Sequence, residues 1–105
     1  MALEWSEEHL PDQRVAIEDQ ELVTLLAMVL WGEARNQPLE GIIAVANVVQ
    51  WRTARPKWWG RDMRSVLLKP WQFSCFNDGD PNRAMMMQPL LHRPIAIWKT
   101  CLWVA

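Results

Sequence analysis

The sequence has little of several residue types that mark particular classes of protein. Among 105 residues it has no tyrosine, two phenylalanines and two cysteines, and its formal net charge is −1. The widely separated Cys75 and Cys101 permit a disulfide but do not imply one. Without a basic excess, the chain lacks the clustered lysine and arginine that a nucleic-acid-binding surface needs, so no nucleic-acid partner is expected.

The sequence also lacks the signals of membrane insertion, export and metal binding. No apolar stretch is long and uncharged enough to form a transmembrane segment. Residues 1–14 are acidic and polar, and they do not read as a signal peptide, so any export would need another route. His9, Cys75, His92 and Cys101 include no closely spaced ligand pair, so the sequence predicts neither a metal nor another cofactor.

Hydrophobic residues and tryptophan are abundant by contrast. Hydrophobic residues make up 50% of the chain, and eight residues are tryptophan. At this length the composition predicts one small domain with a single core. Tryptophan fills cores, but it also lines sugar-binding grooves because its flat face stacks on the C–H face of a pyranose. Core packing is the expected use of most of these side chains, and the count weakly indicates a carbohydrate ligand.

The first main helix is expected to be the centre of the fold. Asp19 is a suitable N-cap for it, and the helix should end near Glu33 or Ala34. Residues 25–31 are apolar on every side, which is typical of a buried helix. Before this helix, residues 1–17 form a polar lead-in that we expect to be loosely ordered.

A second helix should begin at Pro38 and end before Pro56. Its β-branched residues would also suit a buried strand, but its length and its alanines favour a helix. Further along, the pattern predicts two more helices at 63–69 and 95–104, an extended segment at 71–76 and a turn at 77–82.

One carboxylate lies where the central helix is expected to end. At 3.6 residues per turn, Glu33 continues an apolar stripe formed by Leu22, Leu26 and Val29. If that stripe faces the core, the carboxyl loses hydration when charged, which favours its protonated form and lets it donate a proton. The alternative is that Glu33 lies at a frayed helix end and points into water. Spacing alone favours this alternative, because structural carboxylates outnumber catalytic ones.

A series of motifs extends from this glutamate into the second helix and beyond. It comprises Trp31-Gly32-Glu33-Ala34-Arg35, then Pro38, Glu40-Gly41 and Ala44-Val45-Ala46, then Val49 and Arg52, and finally Pro70-Trp71-Gln72-Phe73-Ser74-Cys75. Together these motifs resemble the SleB-type cell wall hydrolases, which include spore cortex-lytic enzymes and many phage-encoded relatives. The resemblance covers roughly residues 20–105 and is most specific in the first two groups of motifs.

The resemblance implies a lysozyme-like α+β domain, mostly helical, over residues 18–105, with a central buried helix and a short extended segment. It implies cleavage of peptidoglycan glycan strands between N-acetylmuramic acid and N-acetylglucosamine, with Glu33 as the catalytic residue. Many relatives have serine where this chain has Ala34, which affects the expected rate. Family domains also continue past the helix that ends this chain, so we expect the domain to be incomplete at its C-terminus.

A single-acid mechanism, as in lytic transglycosylases, fits the chain better than a pair of carboxylates. Asp78 and Asp80 could approach the site, but nothing in their spacing requires it. Glu33 would first protonate the glycosidic oxygen. It would then take the proton from the muramoyl 6-hydroxyl, which attacks C1 in an intramolecular step.

Four residues are predicted to bind the substrate. Trp71, Gln72 and Phe73 are expected to form a wall that contacts the sugar, although core packing is an equal alternative for Trp71 and Phe73. Asn47 is a candidate hydrogen-bond donor to the substrate, and the favoured alternative is a satisfied amide in the core.

Two other functions remain open at this point. One is a non-catalytic peptidoglycan-binding or virion structural module, and the other is an N-acetylmuramoyl-L-alanine amidase, whose chemistry commonly needs zinc. In each case we expect a bacterial or phage protein that is made in the cytoplasm and acts at the cell wall. The helix at 95–104 carries more apolar surface than one face can hide, which predicts a homodimer or docking onto a second polypeptide.

Overall fold

Helices dominate the part of the chain that the structure describes. The structure is a computed structural model, and it describes residues 10–69, 73 and 79–105. Its helices are α1 Leu22–Ala34, α2 Leu39–Ala54, α3 Met63–Leu68, α4 Pro81–Met85 and α5 Ile95–Val104. The prediction of a mostly helical domain is confirmed, and no strand occurs within the described ranges. The segment 71–76, predicted to be extended, lies outside the described residues except for Phe73.

Helix α1 is the centre of the core, as predicted. Residues 25–31 are all buried, and α1 packs against α2, α3, α4 and α5. The largest fully buried side chains include Trp31 on α1 and Trp98 on α5. Each such side chain stabilises the fold by burying a large apolar area, on the order of 1.5–3 kcal/mol for a large apolar residue.

The start of α1 differs from the prediction. Its N-cap is Glu21, whose carboxylate accepts hydrogen bonds from the backbone N–H groups of Val23 at 3.1 Å and Thr24 at 3.2 Å. Asp19 instead ends a short 3₁₀ turn, Ile17–Asp19. The backbone is extended at Gln20 and Glu21, so the unpaired N–H groups of α1 lie too far along the chain for Asp19 to cap them.

Helix α2 begins one residue after the predicted start at Pro38 and ends before Pro56, as predicted. Pro38 is the N-cap and Ala54 the last helical residue, two positions before Pro56. Its buried residues recur at helical spacing: Ile42, Ala46 and Val49 face the core, and the opposite side of the helix is exposed. The choice of a helix over a strand is therefore confirmed.

The segments that follow α2 contain two short helices. Helix α3 occupies most of the predicted range and begins with a capping box in which Asp62 and Ser65 bind each other's backbone N–H groups. Just before it, Gly60 has φ +142°, and a Cβ there would lie 2.7 Å from the backbone nitrogen of Val66. Helix α4 occupies part of the predicted turn. Asp80 caps it by accepting a hydrogen bond from the N–H of Asn82 at 2.8 Å.

Helix α5 confirms the predicted C-terminal helix but buries more of its apolar surface than expected. Trp98, Cys101 and Leu102 lie in the core, whereas Ile95 and Trp103 are exposed. The surface on which the prediction of self-association depends is therefore reduced chiefly to these two side chains.

The described part of the lead-in, residues 10–17, packs on the helices instead of being loosely ordered. The amide of Gln20 holds it through hydrogen bonds with the backbone of Asp12 at 2.8 and 2.9 Å and of Val15 at 3.0 Å. Ile17 belongs to the core. The division of the chain at residues 17 and 18 remains a prediction.

In the described ranges, no helix has the length and apolar character required to cross a bilayer.

Candidate active site

Glu33 lies in the last turn of α1 and its side chain is exposed. The prediction that it continues a stripe facing the core is wrong at this position. Helix α1 is buried on every side only from Thr24 to Trp31, and beyond Trp31 the buried face passes through Ala34. Because successive residues are rotated by about 100°, Glu33 projects from another side of the helix than Ala34. The alternative of a carboxylate at an exposed helix end describes its placement.

Arg35 fixes the helix end that carries Glu33. As the C-cap of α1, it donates hydrogen bonds from its guanidinium Nη1 to the carbonyl oxygens of Gly32 at 3.0 Å and Trp31 at 3.4 Å. The guanidinium carbon Cζ also lies 4.6 Å from the centre of the Trp31 ring, which is a cation–π contact. The hydrogen bond to Gly32 pairs a carbonyl group at the helix end, and the carbonyl of Trp31 also accepts a hydrogen bond from the backbone N–H of Arg35 at 3.2 Å.

The same guanidinium connects α1 to α4. Arg35 Nη2 donates a hydrogen bond to Oδ1 of Asn82 across 2.6 Å. Asp80, which the sequence left as a residue that could approach the site, is two residues before Asn82 and caps α4. Asp78 lies outside the described residues. The first turn of α4 is thus held against the C-terminal end of α1, the end that carries Glu33.

A cavity of about 250 Å³ opens beside Arg35. It lies between the start of α2 and the middle of α5, and its lining consists of Arg35, Gln37, Leu39, Ile42, Ala96, Ile97 and Thr100. Its volume is below the range of roughly 300–1,000 Å³ that is usual for small-ligand pockets. Glu33 does not line it, so this cavity is not a ready-made cleft around the glutamate.

The predicted substrate-binding residues lie in different environments, and two of them are outside the described residues. Asn47 is exposed on the solvent side of α2, which excludes the alternative of a core amide. Phe73 is only 8% exposed and belongs to the core, so it is not presented to a sugar and the core-packing alternative fits it. Trp71 and Gln72 lie outside the described residues.

The described residues include no group of three or more histidine, cysteine, aspartate or glutamate side chains that could hold a metal ion. Of the four scattered candidates, His9 and Cys75 lie outside the described ranges. Cys101 is buried, and desolvation raises the pKa of its thiol to about 12. Because the thiolate is the form that binds metals, this cysteine is a poor ligand in the folded protein.

Comparison with known protein families places this arrangement in context. Residues 36–99 match the family described as Cell Wall Hydrolase. The match includes α2, α3, α4 and half of α5, but it begins after Glu33. Searches of curated proteins and of solved structures gave no significant match. Since the family match covers more than half of the sequence, the chain belongs to the cell wall hydrolase family.

Proposed function

We propose that this protein is a SleB-type member of the family and cleaves peptidoglycan glycan strands between N-acetylmuramic acid and N-acetylglucosamine. The observation that carries the proposal is the position of Glu33. Its side chain is exposed near the end of a helix that is buried from Thr24 to Trp31, three positions before the first residue that matches the family. A polymer cannot enter a closed pocket, so a proton donor for it has to be reachable from solvent on a rigid support.

The proposed chemistry is that of a lytic transglycosylase with Glu33 as its single acid and base. The protonated carboxyl donates its proton to the glycosidic oxygen while the bond between this oxygen and muramoyl C1 breaks. The resulting carboxylate then accepts the proton of the muramoyl 6-hydroxyl, whose oxygen bonds to C1. The products are a 1,6-anhydro sugar and a free 4-hydroxyl, and Glu33 is again protonated. Because the nucleophile belongs to the substrate, orientation lowers the barrier without a second carboxylate.

The support around Glu33 is consistent with this role. Arg35 holds the carbonyl groups of the last turn of α1 and is itself stacked on Trp31 and bound to Asn82. Such a network keeps the helix end, and with it the origin of the Glu33 side chain, in one position. Precise support of this kind is what a proton donor needs, because small displacements reduce catalysis strongly.

Substrate contacts are proposed for Asn47, Trp71 and Gln72. Asn47 is available because it is exposed on α2. Trp71 and Gln72 belong to the motif that resembles the family, and the proposal for them comes from the sequence alone. In this assignment the protein is of bacterial or phage origin and acts at the cell wall.

Product analysis tests the proposal. The protein is incubated with purified peptidoglycan, and the soluble products are identified by mass. We expect anhydro-muropeptides. Reducing-end muropeptides would show a hydrolase that uses water instead of the 6-hydroxyl, and free stem peptides would show an amidase. The absence of soluble products from a folded protein would favour the binding or structural module.

A chelator provides a further test against the amidase. If the chemistry needs no metal, product formation should be the same with and without EDTA. Stoichiometric zinc in the purified protein, together with activity that disappears on its removal, would overturn the single-acid mechanism and favour the amidase.

A further inference from the structure

Three tryptophans form a surface cluster at the C-terminal end of α2 and in the loop that follows it. Trp51 and Trp58 are 49% and 71% exposed, and both contact Trp59. The ring centres of Trp51 and Trp59 are 5.7 Å apart, and those of Trp58 and Trp59 are 5.6 Å apart. We call Trp51, Trp58 and Trp59 the tryptophan cluster.

The cluster is held in place by Trp59. Its indole N–H donates a hydrogen bond to the carbonyl oxygen of Arg52 at 2.9 Å, which ties the loop back to α2. The loop closes with a hydrogen bond from the N–H of Gly60 to the carbonyl oxygen of Lys57 at 3.1 Å. These two hydrogen bonds fix the backbone of the loop relative to α2, and so they fix where the exposed rings of Trp51 and Trp58 lie.

Core packing does not account for this exposure. Trp31 and Trp98 are fully buried, so the core has its own large aromatic side chains. Each exposed indole leaves a large apolar area in water whose burial would be favourable. Neighbouring exposed aromatic side chains on one surface are typical of a binding site.

Cations border the cluster. The guanidinium carbon of Arg55 lies 4.5 Å from the centre of the Trp51 ring, and the ammonium of Lys57 lies 5.4 Å from that of Trp59. In the sequence from 55 to 62, three residues are cationic and Asp62 is the single acid. The carboxylate of Asp62 is used at the start of α3, where hydrogen bonds from Ser65 lower its pKa. The surface thus presents flat apolar faces next to positively charged hydrogen-bond donors.

These properties fit an acidic saccharide better than a lipid bilayer. Indole faces stack on the C–H faces of sugar rings, and the cations can bind carboxylates. A membrane anchor combines cations and tryptophan with aliphatic or phenylalanine side chains that enter the bilayer. The stretch from 55 to 62 contains no leucine, isoleucine, valine, methionine or phenylalanine.

We propose that Trp51 and Trp58, with Arg55 and Lys57 beside them, form a second, non-catalytic site that binds peptidoglycan strands through their sugars and the carboxylates of their stem peptides. The identity of this polymer rests on the proposed function. Helix α2 has 16 residues, so its two ends are about 24 Å apart. The cluster lies at the C-terminal end of α2 and Glu33 before its N-terminal end, so the two sites would engage different parts of one strand.

Binding is tested in the Glu33→Gln background, so that cleavage does not remove the ligand. The probe is insoluble purified peptidoglycan, and sedimentation measures the bound fraction. We expect the added pair Trp51→Ala and Trp58→Ala to weaken binding at least about tenfold, as for central aromatic residues of a binding site. Trp103→Ala is the matched control, because this tryptophan is 75% exposed on a different helix, and its binding should be unchanged.

The charge contribution is tested separately. Arg55→Gln with Lys57→Gln should weaken binding to peptidoglycan and reduce its salt dependence, since two cations no longer bind carboxylates. The parent protein should bind chitin, a neutral polymer of N-acetylglucosamine, more weakly than it binds peptidoglycan. The two glutamine substitutions should change binding to chitin little. Equal loss on both polymers would overturn the role assigned to the carboxylates.

Several results would overturn the site itself. One is unchanged binding of the double tryptophan variant to peptidoglycan, and another is an equal loss of binding in Trp103→Ala. A third is a double tryptophan variant that no longer binds phosphatidylglycerol vesicles but still binds peptidoglycan. Circular dichroism verifies folding, and Trp58→Ala alone replaces the double variant if the latter does not fold. If the parent protein forms anhydro products but the double tryptophan variant binds unchanged, only the second site is refuted. If the double tryptophan variant binds more weakly but the parent protein forms no products, only the proposed cleavage is refuted.

Discussion

The guanidinium of Arg35 donates a hydrogen bond to the side-chain oxygen of Asn82 across 2.6 Å, and this bond joins the C-terminal end of α1 to the first turn of α4. Forty-seven positions separate the two residues in the chain. The contact therefore belongs to the tertiary structure that surrounds Glu33. Its donor is charged and half-buried, which makes it stronger than a neutral hydrogen bond on the surface.

The first prediction concerns this hydrogen bond. Asn82→Ala removes the acceptor, and we expect the free energy of unfolding to fall by about 1–2 kcal/mol, since hydrogen bonds to charged groups contribute amounts of this order. Thermal unfolding followed by circular dichroism should show a melting temperature lower by about 5–10 °C. Asn82→Asp is the control, because it keeps an acceptor for Arg35 and should retain most of the stability. An alanine variant as stable as the parent protein would show that the bond contributes nothing.

The second prediction concerns Glu33. Glu33→Gln keeps the shape of the side chain but cannot transfer a proton, so we expect glycan cleavage to fall about 100-fold to 10,000-fold. Because the side chain is exposed, the melting temperature should change little. Release of soluble muropeptides measures the rate. Glu40→Gln, another exposed glutamate at the start of α2, is the matched control and should remain active. A folded Glu33→Gln protein with near-normal activity would refute the assignment of the acid.

The helices could be predicted from the sequence where the signals are local. Apolar runs and prolines gave the bounds of α1, α2 and α5 closely, because a helix begins and ends according to residues next to it. Helix α4 was missed although Asp80 followed by Pro81 is a recognisable start, with a capping side chain and a proline in the first turn. Reading these residues as a turn gave too much weight to their composition.

The site was less predictable because it depends on contacts that are distant in the chain. The stripe through Val29 suggested a buried Glu33, but the core ends at Trp31 and Ala34 on that helix, and the sequence does not show where neighbouring helices stop covering it. The bond between Arg35 and Asn82 has no local signature. The abundance of tryptophan was visible, whereas its division between the core and an exposed cluster became clear only from the fold.

The third prediction concerns the ion pair between Glu18 and Arg83. Their side chains approach to 2.6 Å, and the hydrogen bond from Arg83 lowers the pKa of Glu18 below the ordinary value of 4.5. The native state therefore favours the carboxylate. Its contribution to stability is fully present above the unfolded pKa near 4.5 and is lost as the pH falls through the lower folded pKa.

The comparison of the parent protein with Glu18→Gln measures this contribution. Both side chains are partly exposed, so solvent screens the pair, and we expect a difference of no more than about 1 kcal/mol at pH 7. The difference in melting temperature should shrink as the pH falls through the lowered pKa of Glu18 in the folded protein, because below it both proteins lack the charge. Asp12 and Asp62, whose pKa values are also lowered, are present in both proteins and cancel. A difference that persists at low pH would mean that it does not come from the ion pair.

The last prediction concerns self-association through α5. The surface left for it consists chiefly of Ile95 and Trp103, because Trp98 and Leu102 are buried within the domain. In a symmetric dimer both protomers contribute these two side chains, and burying the four of them contributes about 6–12 kcal/mol. Association itself costs an estimated 4–15 kcal/mol in lost translational and rotational freedom. The favourable and unfavourable contributions are of similar size, so these side chains alone do not hold a tight dimer.

We therefore expect association through α5 to be weak, with a monomer at about 10 µM and a dimer emerging only near millimolar concentration. Light scattering across this range measures the mass, and Trp103→Ser should remove its rise because it replaces the most exposed apolar side chain of the helix. A rise that survives this substitution would place the contact elsewhere on the protein. A dimer already stable at about 10 µM would require buried area beyond these two side chains, since their contribution is too small for that affinity.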